Sequence, residues 1–308
     1  MKKKIYDDGS GLDIRGWLQD AMPRIVLAPS FLITVVFVYG FILWTGYLSF
    51  TASRMMPSYK WVGFKQYIKL WSLPNWYKAL ENLVIFGSLY IGICCILGLL
   101  LAILIDQKIR IEGMIRPIML YPMAISFIVT GTAWKWFLNP GLGLQKTVQE
   151  WGFESFTFDW IINGDMAIYT VVMAAVWQST GFVMAIFLAG LRGIDTDIIK
   201  AAYLEDATIF QIYRKIILPQ LRPAFLSAII ILSHMAIKSY DLVIALTGGG
   251  PGNATELPAT FMYSYTFTRN RMGIGAASAV IMFMTVVSIM LPYIYAELKE
   301  KDHDQRGE

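Results

Sequence analysis

The sequence predicts an all-α membrane protein, six transmembrane helices with an amphipathic helix pair between the fourth and the fifth. Three observations predict it. Of the 308 residues 56% are hydrophobic and only 16% charged, and the mean hydropathy is +0.53, too apolar for an ordinary soluble domain. Six apolar runs are each long enough, at about 1.5 Å per helical residue, to cross a hydrocarbon core of roughly 30 Å. One long segment between two of them, residues 192–223, instead sets apolar and polar residues at helical spacing. Ten Trp and sixteen Tyr suit a chain with many water–lipid boundaries, where amphipathic rings settle. The net charge of +4 is modest and gives no reason to expect a nucleic-acid partner.

Residues 1–24 form a polar N-terminal segment carrying Lys2, Lys3, Lys4, Arg15 and Arg24, ahead of a transmembrane domain over 25–296 and a charged tail over 297–308. The first span, Ile25 to Phe50, would extend about 39 Å as a helix and is too long for the apolar part of a signal peptide. A polar, aromatic-rich loop leads to a second span near Asn82 to Ile105, and the charged run DQKIRIEGMIR makes a short turn. The third span runs from about Pro117 to Leu138; Pro117 and Pro122 are tolerable where neighbouring helices satisfy the freed carbonyls. Residues Asn139 to Asp165, rich in Gly, Trp and acid, read as an aqueous loop with little regular structure. The fourth span covers about Ala167 to Leu191, the fifth Ala224 to Leu246 and the sixth Ile274 to Tyr295.

Six spans place both ends on one side. Sixteen Lys and Arg lie in the tails and even-numbered loops against nine on the other face, five of those nine in the first outer loop, so the positive-inside rule makes both termini cytoplasmic. Cys94 and Cys95 are adjacent in an apolar run and fit neither a disulfide framework nor metal-ligand spacing; they read as small lipid- or core-facing residues. His234 and His303 are the only histidines. No metal or catalytic histidine cluster follows from two, no paired carboxylates or nucleophile–base set stands out, and so neither an enzyme nor a cofactor is expected.

In the amphipathic stretch, Asp195, Thr196 and Asp197 suit the start of a helix. Ile198, Ala201, Ala202 and Glu205 then follow helical spacing, and Phe210, Tyr213 and Ile217 form a second stripe after Asp206. Pro219 and Pro223 predict that the second helix stops near Ile217. These residues resemble the cytoplasmic coupling motif of permease subunits in ABC importers: Glu-Ala-Ala, three residues on Asp-Gly-Ala, and later a Leu-Pro with a second proline. Ala201, Ala202, Ala207, Leu218, Pro219 and Pro223 keep the pattern, while Lys200 stands at the usual Glu, Glu205 at the Asp and Asp206 at the turn glycine. Asp tolerates turn conformations and can cap the helix that follows. The run TGGGPGN lacks the Gly-x4-Gly-Lys-Ser/Thr spacing of a phosphate-cradling loop. Its glycines shape a turn, and it resembles the segment after the fifth span in sugar-importing permeases of the maltose and glycerol-phosphate branch.

The resemblance implies a permease subunit of an ATP-driven, solute-binding-protein-dependent importer for a carbohydrate or polyol, in a bacterial or archaeal cytoplasmic (inner) membrane. It implies as partners a second permease subunit, two ATP-binding subunits and an extracytoplasmic solute-binding protein. It also implies ATPase-coupling contacts at Lys200, Ala201, Ala202, Glu205, Asp206, Ala207 and Pro219. From the residues alone, His234, Lys238 and Asp241 are spaced i, i+4, i+7 on the fifth span, within about 40° on one helical face. Ionisable groups at membrane depth face a bundle interior or a water-filled path, so the three either line a substrate path or include a structural Lys238–Asp241 pair. The same set leaves open a self-sufficient ion-coupled carrier, and a membrane scaffold or channel is the third class.

Overall fold

In a computed structural model of the chain, two long helices packed side by side carry the rest: α4 (Pro74–Asp106) and α8 (Ala167–Arg192) touch along most of their length. The structure describes residues 14–306 except 55, 57 and 108–110. The lysines expected at positions 2–4, and part of the short turn between the second and third spans, lie outside them. Among the described residues four helices are long and apolar enough to cross a membrane unbroken, and two bent helix pairs bring the number to as many as six.

The first span joins α1 (Ile14–Thr34) to α2 (Gly40–Ser49) through a wide turn at Val35–Tyr39. The chain then doubles back through an antiparallel bridge between Thr51 and Trp61 and forms α3 (Lys65–Trp71), so the loop expected here is partly ordered. Helix α4 starts earlier than its apolar run because Pro74 opens it, at a position where a missing N–H costs nothing. Its first turns bury Trp76 and Ala79 in a small second cluster with Phe261 and Tyr265. Gly98 lets α4 approach α8, since a Cβ there would sit 2.7 Å from the Val183 Cγ1. Cys94 and Cys95 are both buried in this main core, free of any disulfide.

The third span is not one rod. Helix α5 (Glu112–Ala124) ends, Ile125 is extended, and α6 (Phe127–Phe137) restarts at 96° to it. Pro122 removes one helical donor just before the break, and Ser126 caps the new helix by accepting from the Val129 N–H. The freed Ile125 carbonyl accepts from the Gln178 side chain of α8 at 2.7 Å. Beyond α6 the expected irregular loop contains α7 (Leu144–Glu150).

After α8 come α9 (Thr196–Leu204), α10 (Ile209–Ile212) and α11 (Leu218–Gln220). The second amphipathic helix does not stop near Ile217. A wide turn at Tyr213–Ile217, in which the Leu218 N–H reaches back to the Tyr213 carbonyl, carries the helix through Pro219 to Gln220. Widening the register relieves the clash that a proline ring makes with the carbonyl four residues earlier. The chain then bends by 59° into α12 (Arg222–Ile237).

The fifth span is interrupted too. Helix α12 closes at Lys238, and α13 (Asp241–Leu246) begins three residues later. The turn that follows has positive φ at Gly248, Gly249, Gly250 and Gly252, and the Thr247 and Thr255 hydroxyls meet across it at 2.7 Å. Helices α14 (Pro258–Tyr263) and α15 (Met272–Arg306) complete the chain, and the apolar stretch of α15 is Met272–Pro292. The helix continues beyond it, where a separate tail was expected.

Candidate functional site

Two places in this fold carry the residues singled out from the sequence. The first is the helix pair α9–α10. The Asp195 carboxylate accepts from the Asp197 N–H at 2.9 Å and starts α9. Asp206 takes a left-handed turn conformation, φ 54°, as an Asp at a glycine's position can. It does not cap the next helix. Thr208 does, through a reciprocal pair with Gln211: the Thr208 N–H donates to Oε1 at 2.9 Å and its hydroxyl accepts from the Gln211 N–H at 3.4 Å.

The pair is seated partly by the expected stripes, through Ala202, Tyr213 and Ile217, and partly by neighbours of the stripe residues. Ile199, Ala202, Ala207 and Tyr213 pack on the main core, and Ile212 and Ile217 are buried in it, while Ile198 and Phe210 face out. Beneath α9, Arg192 reaches Glu112 at 2.8 Å and Asp106 at 3.5 Å, gathering the ends of α4, α5 and α8 where the pair begins. Lys200 forms an exposed pair with Asp197 at 2.8 Å; Ala201, Glu205 and Pro219 are exposed as well. Large apolar side chains are uncovered beside these charges: Leu204 is 87% exposed, Phe210 71% and Ile209 64%. Neither Leu204 nor Ile209 belongs to the expected stripes, although they stand on either side of the turn at Asp206.

The second place is a cavity of about 180 Å³ where spans two to five meet. His234, Lys238 and Asp241 all line it, though not as one helical face, because the helix breaks between Lys238 and Asp241. Among the described residues no carboxylate lies within 4.0 Å of the Lys238 ammonium, so the structural pair is absent. Phe86 and Tyr90 on α4 stack with ring centroids 5.4 Å apart and form another wall. The Tyr90 hydroxyl donates to the Ser179 Oγ at 2.7 Å. These aromatic residues went unnoticed in the sequence; an isolated Tyr inside an otherwise apolar span was the signal for the second of them. The arrangement offers ring faces and dispersed donors and acceptors. Among the described residues no group of three His, Cys, Asp or Glu side chains could hold a metal.

A family model described as the binding-protein-dependent transport system inner membrane component matches residues 92–300. A probable ABC transporter permease protein of Pyrococcus horikoshii is 36% identical over 285 residues, covering 91% of this chain and 98% of that protein. The xylose/arabinose import permease protein XacH of Haloferax volcanii is 32% identical, covering 88% and 86%. Among solved structures, a bacterial ABC transporter involved in the import of the acidic polysaccharide alginate is similar in fold, with a TM-score of 0.78, 19% identity and coverage of 92% and 96%.

Proposed function

Because the chain belongs to the family of binding-protein-dependent transport system inner membrane components, we propose that it is one permease subunit of an ATP-driven carbohydrate importer, completed by a second permease subunit, two ATP-binding subunits and a solute-binding protein. In this reading both termini and α9–α10 are cytoplasmic. The observation that carries the coupling role is the seated helix pair whose outer apolar face, Leu204, Ile209 and Phe210, has no cover within the chain. An ATP-binding subunit with an apolar groove is the partner that face fits. Closure of the ATP-binding subunits would press on α9–α10. The buried Ile212 and Ile217 would pass that displacement to α8 and α12, both in the same core. The cavity between spans two and five then changes access as one of two states is favoured.

The carbohydrate assignment rests on the Haloferax relative's xylose/arabinose name and on the Phe86–Tyr90 wall beside His234, Lys238 and Asp241. Ring faces suit the apolar faces of a sugar, and the polar groups suit its hydroxyls. Family membership sets aside the ion-coupled carrier. Copurification tests the proposal: a tagged chain should bring down an ATP-binding subunit and a second membrane subunit, and sugar uptake in vesicles should require ATP and the binding protein. A chain that transports alone, driven by an ion gradient, overturns it. Orientation is tested with single cysteines at Gly152 and Thr208 in a background lacking Cys94 and Cys95. An impermeant thiol reagent should label the first in intact cells and the second only after lysis.

A further inference from the structure

At the ends of the spans opposite α9–α10, residues from 52–54, 66–73 and 269–274 surround a cavity of about 590 Å³. Arg54, Lys69, Arg269 and Arg271 line it, and no carboxylate does. Among the described residues none of the four comes within 4.0 Å of an acidic side chain. Four cations around one hollow with no carboxylate in its lining repel each other, and an anion between them removes that cost. The frame holding them is built. The buried Gln66 donates to the Thr51 carbonyl at 2.8 Å, and the Gly273 N–H donates to the Ser53 carbonyl at 3.0 Å, pinning these segments together. Arg269 lies 4.6 Å from the centre of the Tyr265 ring and donates to its hydroxyl at 2.9 Å.

Two further observations say what kind of anion fits. Trp61, Phe64, Trp71 and Tyr77 stand exposed on the same stretch of chain, and such rings settle at the level of lipid headgroups. The bases are also those that the charge rule does not expect: Arg54 and Lys69 belong to the over-basic first outer loop, and they converge with both bases of the last one. A hollow of this size matches a small organic group better than a bare ion. We propose that the cavity seats the phosphate-bearing headgroup of an anionic membrane phospholipid, which ties the first outer loop to the last. The proposal rests only on the chain spanning a membrane, so it stands or falls separately from the transported solute and the ATP-binding partner.

The test uses the purified importer in lipid nanodiscs, comparing phosphatidylcholine alone with phosphatidylcholine containing phosphatidylglycerol, and inorganic phosphate as a separate arm. Phosphatidylglycerol should raise the thermal midpoint and remain bound in native mass spectra, and raising the salt should weaken both effects. R54Q/K69Q/R271Q should lower the apparent affinity for phosphatidylglycerol at least tenfold with an unchanged midpoint in phosphatidylcholine. Should that variant not fold, R54Q alone should shift the lipid titration severalfold. Equal midpoints in both lipids overturn the proposal, as does inorganic phosphate reproducing the whole shift. A variant that keeps its lipid response but no longer captures the solute-binding protein also overturns it, and assigns the cavity to protein docking.

Discussion

Leu204 closes α9 with 87% of its surface exposed and belongs to neither buried cluster. Leu204→Ala should therefore leave the stability of this chain within about 0.5 kcal/mol of the parent. Seated in a groove of an ATP-binding subunit, the leucine would bury three carbons that alanine lacks. At about 0.8 kcal/mol each, scaled by the 87% left free to be covered, their loss weakens docking by about 2 kcal/mol, or roughly thirtyfold. Phe210→Ala should cost at least as much, because a larger apolar side chain is removed from the same face. The assay is a titration of the ATP-binding subunit onto nanodisc-held membrane subunits, with the thermal midpoint of the membrane subunits as control and hydrolysis per solute imported as functional readout. Unchanged affinity for both variants would refute the apolar seat. Ala202→Trp is a poorer probe than the motif makes it look, because Ala202 packs on this chain's own core, and a large residue there disturbs the lever before any partner arrives.

Gly181→Ala should lower the melting temperature and yield, because the added methyl meets the Met119 carbonyl of α5, a backbone atom that cannot swing away; overpacking of this kind costs about 1–3 kcal/mol, and a normal yield would mean that α5 and α8 part easily. Gln178→Leu strands the Ile125 carbonyl at the break in the third span, a loss of about 1–3 kcal/mol that denaturant or thermal melts in detergent should register. Lys238→Met should leave expression intact, since no carboxylate depends on it, whereas Asp241→Asn should depress uptake; full uptake with both removes them from the path. Glu256, 5% exposed in the connection after α13, is pushed up to about 7 by burial, with Arg269 opposing. Its native state holds a proton that the unfolded chain releases, so stability should fall as pH rises from the ordinary carboxylate range to about 7. Glu256→Gln should flatten that part of the pH profile, and parallel profiles would reject the linkage.

The helices most legible in the sequence are those decided by local composition. The fourth span was expected over Ala167 to Leu191 and runs Ala167–Arg192, because an unbroken apolar run without proline has one economical conformation in lipid. The breaks were illegible for the opposite reason. What makes the turn at Ile125 tolerable is Gln178, 53 residues away in the chain, and nothing near Lys238 announces that α12 ends there. The helix pair was legible in kind and only partly in phase: Ala202, Tyr213 and Ile217 of the expected stripes do meet the core, but Ile198 and Ile199 are both apolar, and only packing on the core selects Ile199 as the inward one. Asp195 as a cap and Asp206 as a turn residue were readable because each acts on its own backbone. The Phe86–Tyr90 wall depends on four spans converging, which no local pattern encodes.

The first span stands apart from all of this. Its most apolar stretch, within Met22–Ser49, is 0% buried inside the chain, while the corresponding stretch of α8 is 67% buried. Contact with the rest of the molecule comes at its far end, where α2 lies along α15. Its anchorage is a matter of partition rather than fit: each side chain contributes by preferring oil to water, regardless of its outline. Within this chain alone, a scrambled order of the same residues ahead of α2 would disturb little packing. The stretch matched by the family model, residues 92–300, leaves this span out and takes in the buried face of α8.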